Sequence, residues 1–184
     1  LQIRVDAGSN TPYADSLGKS WVADLAYTSG SYGYTQGGVV FNASDTVIGT
    51  ADPALYQTLR QGRVLEYRFD LPMGSYQVTL KLCDFLSTQA GQRSVVVKAN
   101  GSRVAGPLDL SALVGQDAAY DLNFTASPSQ GSLVVRLEGV KGAATLSAIQ
   151  VVGLQSLSPN PTPTPNLHPF DFILIQPADA SFLQ

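Results

Sequence analysis

Between Ser75 and Cys83 the chain reads Ser-Tyr-Gln-Val-Thr-Leu-Lys-Leu-Cys, with Tyr76, Val78, Leu80 and Leu82 on one parity and Gln77, Thr79 and Lys81 on the other. A period of two marks a strand with one buried and one wet face; a helix would repeat its apolar positions every three or four residues. The same alternation sets Leu65, Tyr67 and Phe69 against Glu66 and Arg68. With the turn residues Pro72-Met-Gly-Ser between them, these two segments predict a hairpin. Further strand-like runs lie at Ser94–Ala99, Tyr120–Phe124, Ser132–Glu138 and Thr145–Val152, each bounded by Gly, Asn, Pro or Ser. Asn100-Gly101 has type I′ composition, and Gln130-Gly131 is a second tight-turn signal. Helix is suggested only weakly, at Pro53–Arg60. Short strands at this spacing predict an all-β sandwich.

The strand-forming region ends at a proline tract, Ser158-Pro-Asn-Pro-Thr-Pro-Thr-Pro-Asn166. Alternate prolines remove backbone donors and hold φ near one value, so the tract reads as an extended, semi-rigid spacer. The expected organisation is a module at 1–155, a Pro/Thr-rich linker at 156–169 and an extended apolar tail at 170–184. The tail, Phe-Asp-Phe-Ile-Leu-Ile-Gln-Pro-Ala-Asp, resembles the first strand of an immunoglobulin-like domain, which needs roughly 100 residues. The other reading is that Phe172 and Leu174 pair with a sheet edge, which would dimerise the chain by strand addition.

A module of this length with 44% apolar residues can bury one ordinary core. Net charge is −3 with no basic run, which argues against nucleic acid and anionic membrane as partners. No apolar run approaches the roughly 20 residues of a membrane-spanning helix. A single cysteine, Cys83, excludes an intramolecular disulfide, and its place in a strand pattern reads as a small buried hydrophobe. Low charge content with abundant Gly, Ser and Thr suits an extracellular or cell-surface module. Asn42-Ala-Ser, Asn100-Gly-Ser and Asn123-Phe-Thr are glycan acceptor sequons in a eukaryotic secretory path.

Several phrases in order resemble malectin and the malectin-like carbohydrate-binding modules. They are Ile3-Arg-Val-Asp-Ala-Gly8, with Asp6 where the family's turn has Asn; Trp21-Val-Ala-Asp24 with Tyr27; and Ala54-Leu-Tyr-Gln-Thr-Leu-Arg60. Gly74-Ser-Tyr-Gln-Val-Thr-Leu-Lys-Leu82, Gly91-Gln-Arg93, Asn100-Gly101 and Leu146-Ser-Ala-Ile149 continue the series to about Gly153. The resemblance implies a jelly-roll-like β-sandwich of the galactose-binding-domain type, no catalysis, and glycan binding by aromatic side chains on loops at one end. The chain departs from the family at that site. Leu86 and Ser87 stand where malectin has two adjacent aromatics, Gln61 where it has a tyrosine, and Gly142 or Ala143 where it has an aspartate. Tyr32 or Tyr34 is the counterpart of its early-loop tyrosine.

A sugar ring offers a C–H face and a hydroxyl edge, so recognition pairs an aromatic ring with polar side chains. Tyr32 and Tyr34 lie in Ser29–Gly38, whose Tyr-Gly-Ser composition is that of an adaptable binding loop. Phe85 sits at a loop junction, and Arg60, Asp84 and Gln89 are candidate hydroxyl partners. Arg60 has two acidic partners in reach of the pattern, Asp24 and Asp84, so a structural ion pair stands beside the ligand reading. Trp21 and Tyr56 are expected in the core.

His168, the only histidine, lies beyond the proline tract, which leaves the module without a Ser-His-Asp, Cys-His or two-histidine metal arrangement. A structural calcium ion is the one cofactor such a sandwich admits, although no Asp-x-Asp-x-Asp-Gly loop occurs. The expected function is a non-catalytic carbohydrate-binding module of a secreted or surface multidomain protein, bacterial by its Pro-Thr spacer, that targets neighbouring domains to an oligo- or polysaccharide. The rival is a structural or protein-interaction module of an adhesin with a decayed sugar site.

Overall fold

The computed structural model describes residues 1–154. The expected linker and tail, and with them the tail-mediated dimer, lie outside the described residues. Among these described residues, fourteen strands and two one-turn helices follow in chain order. They are β1 (Gln2–Asp6), β2 (Tyr13–Ala14), β3 (Ser20–Ala23), β4 (Tyr32–Gln36), β5 (Val39–Asn42), α1 (Ala54–Gln57), β6 (Thr58–Gly62), β7 (Val64–Asp70) and β8 (Ser75–Leu82). After these come β9 (Ser94–Ala99), β10 (Ser102–Leu108), α2 (Leu110–Leu113), β11 (Tyr120–Ala126), β12 (Ser132–Lys141), β13 (Ala144–Leu146) and β14 (Ala148–Leu154).

Two large sheets, ordered β11-β8-β14-β1-β3-β2 and β10-β9-β12-β7-β4, enclose the main core. The expected alternation holds. Leu65, Tyr67 and Phe69 on β7, and Tyr76, Val78, Leu80 and Leu82 on β8, all point inward and are buried. Burying these side chains from both sheets is the main driving force for the sandwich, at about 25 cal/mol per Å² of apolar surface removed from water.

The predicted β7–β8 hairpin is corrected. β7 pairs with β12 and β4, whereas β8 pairs with β11 and β14 in the opposite sheet. Leu71 to Gly74 is therefore an arch between sheets, anchored by buried Leu71 and by Tyr76, whose hydroxyl donates to the Pro72 carbonyl at 3.0 Å. Alternation alone cannot separate a hairpin from an arch, because both give each strand one inward face. Asn100-Gly101 does make a β-hairpin, β9–β10, with both residues at positive φ (47° and 82°) as a type I′ turn requires. The weak helix at Pro53–Arg60 shrinks to α1, and Thr58 onward is strand β6.

A third sheet, β13-β6-β5, closes one end of the sandwich. Beneath it lies a second buried cluster of Trp21, Val47, Leu55, Tyr56, Leu59, Cys83, Phe85 and Ala148. Trp21 and Tyr56 are core residues, as expected. Burial pushes the Cys83 thiol up to about 12, so it is protonated and inert at neutral pH.

Candidate functional site

The closing sheet carries its side chains in cross-strand rows, because β6 pairs with both neighbours. Val39, Gln61 and Thr145 form one row, and Phe41 stands opposite Leu59 in the next. The Phe85 ring lies 6.2 Å from Phe41, tilted by 35°. Val39 is 65% exposed and Leu86 47%, while Gln61 is half-buried. The Thr145 hydroxyl, facing inward, donates to the Cys83 carbonyl at 3.0 Å and ties the sheet to the end of β8.

Ser29–Gly38 is not the mobile loop that its composition predicts. Tyr32–Gln36 is strand β4, paired with β7, and residues 25–27 cross over it, with Tyr27 N donating to the Tyr34 carbonyl at 2.9 Å and Tyr34 N to that of Leu25 at 3.0 Å. Gly33 permits the crossing, since a Cβ there would collide with the Leu25 carbonyl and the Tyr27 amide. Glycines read as flexibility are here places of close backbone approach. Tyr32 stacks on Phe69 with centroids 6.2 Å apart, and Tyr34 meets Tyr67 edge-on at 6.3 Å. Both rings are half-buried rather than free.

Arg60 pairs with Asp24, not with Asp84. Its Nε donates to Asp24 Oδ2, its Nη1 to the Gly37 carbonyl at 3.2 Å, and its guanidinium lies 3.6 Å from the centroid of the Tyr34 ring. Asp24 Oδ2 also accepts from Gly8 N at 2.7 Å and from the Tyr67 hydroxyl at 3.0 Å. Burial by itself would lower the Arg60 pKa, but the hydrogen bond and charge of Asp24 outweigh it and hold the guanidinium above its ordinary value. This node joins the Ala7-Gly8 turn, β4, β6 and β7. The Gly37-Gly38 turn rests on it, Gly37 against the Tyr34 ring and Arg60, Gly38 against the Gln61 backbone at φ 59°.

Asp84 is buried and turned inward. Its carboxylate accepts from Leu86 N at 3.0 Å, from Ser87 N at 3.2 Å and from the Ser87 hydroxyl, with Arg93 Nη1 at 3.7 Å. It builds the 84–87 turn that presents Leu86. Asp84→Ala removes all of these acceptors and is expected to cost about 1–3 kcal/mol, read as a lowered midpoint in urea. Phe85 is 8% exposed and belongs to the second core cluster, whereas Gln89 is exposed.

The six candidates thus fall into four settings. Tyr34 and Arg60 touch; Asp84 and Phe85 share the turn after β8; Tyr32, on β4, stacks on Phe69 of β7; and Gln89 stands on the open loop. The closing sheet joins the first two settings through Arg60-Gln61 on β6 and Gln61 opposite Thr145. Gln61, Val39 and Thr145 were not among the candidates. A row formed by three strands distant in sequence leaves no local pattern, and only the position of Gln61 against the family's tyrosine pointed to it.

The closing sheet thus gathers rings, amides and apolar side chains over a buried charged node. The chain belongs to the malectin domain family, with residues 1–153 matching the malectin domain. No curated protein matches it in sequence. Among solved structures it is similar to a Bacteroides uniformis beta-glucuronidase, at 26% identity and a TM-score of 0.77, over 84% of this chain and 18% of that one. It is also similar in fold to the ANX2 ectodomain from Arabidopsis thaliana (16% identity, TM-score 0.71, 84% of this chain and 50% of that one). The plant receptor-like kinase FER is a third (19% identity, TM-score 0.68, 84% and 50%). The chain spans about a fifth of the enzyme and about half of the receptor chains. Malectin domains bind carbohydrate and by themselves are not catalytic.

Proposed function

We propose that this domain is the glycan-targeting module of a secreted or cell-surface multidomain protein, and that its ligand surface is the closing-sheet end. The observation that carries the reading is the open part of the closing sheet, where Val39, 65% exposed, stands opposite the half-buried Gln61 amide. It sets apolar contact for a sugar's C–H face beside an amide for its hydroxyls. Of the residues proposed from sequence, Tyr34 and Gln89 serve as contacts, Arg60, Asp84 and Phe85 hold the contacting elements in place, and Tyr32, opposite Phe69 at the far end of β7, stands apart from this surface. An open surface of this kind gives weak single-site affinity, and tethering to neighbouring domains supplies the effective concentration.

A second reading, a protein-docking module, is favoured by one observation: Val39, Val40 and Leu86 are exposed apolar side chains at the same end. A glycan array probed with the chain separates the two, followed by titration of hits against Gln61→Ala and Tyr34→Ala. The expected result is a reproducible glycan hit weakened tenfold or more, about 1.4 kcal/mol, by Gln61→Ala, which leaves the Arg60–Asp24 node intact. A blank array with folded protein overturns the glycan reading.

A further inference from the structure

On the outer face of the six-stranded sheet, a cleft of about 240 Å³ lies over Thr79, Asn123 and Gln150 and beside Asp15, Leu17 and Asp52. Its floor is a straight polar row, Asn123–Thr79–Gln150–Arg4, set by the registers of β11, β8, β14 and β1. Its wall is the turn between β2 and β3, closed by Asp15 N on the Lys19 carbonyl at 2.9 Å.

The polar groups of this cleft are held in place. Asp15 accepts from Trp21 Nε1, Leu17 N and Lys19 N at 3.0, 3.0 and 2.8 Å. Asp52 accepts from Ser16 N at 2.6 Å, the Ser16 hydroxyl at 3.0 Å and the Tyr13 hydroxyl at 3.2 Å, which fastens the wall to the segment before α1. Lys81 Nζ donates to Asp121 at 2.8 Å and to the Tyr56 hydroxyl at 3.1 Å, with the Trp21 ring 5.7 Å away. The Thr79 hydroxyl donates to Asn123 Oδ1 at 2.6 Å and Arg4 Nε to Gln150 Oε1 at 2.7 Å. Those bonds use the amide oxygens and leave the Asn123 and Gln150 NH₂ groups without a partner among the described residues. Most of the cleft's polar groups are thus fixed by neighbours rather than loose in solvent.

The chemistry selects the ligand. Three carboxylates, Asp15, Asp52 and Asp121, are matched by Lys19, Lys81 and the Arg4 guanidinium at the end of the floor, so the cleft favours neither sign of charge, and Leu17, 74% exposed, is its large apolar rim contact. Fixed acceptors beside free amide donors suit groups that donate and accept at once, which are hydroxyls. The volume is below the roughly 300–1,000 Å³ of drug-sized pockets and suits a single small unit. We infer that this cleft is a second ligand site, for one neutral hydroxyl-rich unit such as a sugar ring, independent of the closing-sheet end. It shares the proposed ligand class but none of the residues of that surface. Fixing the polar groups beforehand reduces the ordering cost of binding.

The test is a ¹H–¹⁵N NMR titration of the chain with glucose, galactose, maltose and cellobiose to concentrations on the order of 10 mM, with glucuronate as the anionic comparison. The expected result is saturable shifts of the Asn123 and Gln150 side-chain amides and the Trp21 indole N–H. Combining Asn123→Ala with Gln150→Ala weakens that response at least tenfold, while a dispersed spectrum shows the fold retained. Shifts confined to Gln61 and Leu86 overturn the cleft and leave the closing-end reading standing. Shifts confined to the cleft do the reverse, and a silent spectrum with all four sugars overturns both. A response to glucuronate equal to that of the neutral sugars overturns the neutral-ligand assignment.

Discussion

Arg60→Ala is expected to destabilise the domain by about 3–5 kcal/mol, the usual cost of stripping one partner from a buried ion pair. Asp24 would be left almost fully buried, with Gly8 N and the Tyr67 hydroxyl as donors but no counter-charge, and its Oδ1 already has no partner. The loss extends beyond charge. The Gly37 carbonyl loses its donor, and the Tyr34 ring loses the guanidinium packed on its face. Arg60→Lys keeps the charge but not the planar fork that serves Nε and Nη1 in two directions, so it should recover only part of the loss. Denaturant unfolding of both variants checks this. A midpoint for Arg60→Ala within error of the parent would mean the node is not what joins the Gly8 turn to β4, β6 and β7.

Asp6→Asn should stabilise the domain at pH 8 by about 4 kcal/mol and leave it nearly unchanged at pH 4. Asp6 is buried, its Oδ1 has no partner, and Asp24 is a nearby like charge. Burial first and the Asp24 charge as well, opposed by a hydrogen bond from Ser9, raise its pKa from 3.8 to about 7. Between those values the folded state keeps a proton that the unfolded chain has released. Stability due to this group is therefore fully present below pH 3.8, falls as pH rises, and levels off above pH 7. A gap of about three units at 1.36 kcal/mol each sets the magnitude. Asparagine is neutral throughout, and it is the residue that malectin's turn carries here. The measurement is the difference between parent and variant unfolding free energies from pH 4 to 8, which cancels the other titrating groups. A flat difference would place the Asp6 carboxyl in contact with water.

Much of the sandwich was legible because period-two patterning is a local consequence of having one wet and one buried face. Tyr76 to Leu82 and Leu65 to Phe69 could be assigned inward from their own neighbours, and Asn100-Gly101 marked its hairpin because few residue pairs accept two positive φ values. The site was legible only in part. Arg60 was found, but its choice of Asp24 over Asp84 depends on how β6 packs against the segment that follows β3, which no segment encodes alone. Phe85 was recognised as an aromatic at a loop junction, yet Phe41, more than forty residues earlier, makes it a core residue.

The deepest difference lies between patterns and pairings. Alternation, turn chemistry, the lone cysteine and the family phrases specify an all-β module with a particular set of inward side chains, since each follows from a residue and its near neighbours. Which strand lies beside which is settled by collapse around a shared core. That step turns the expected β7–β8 hairpin into an arch, makes a strand of the Tyr-Gly segment, and aligns Val39, Gln61 and Thr145 from three distant strands. It also converts the polar parity of β8, in sequence only a wet face, into the floor of a walled cleft. Recognition surfaces on a sandwich are made of such long-range adjacencies, and burial, not local propensity, brings them together.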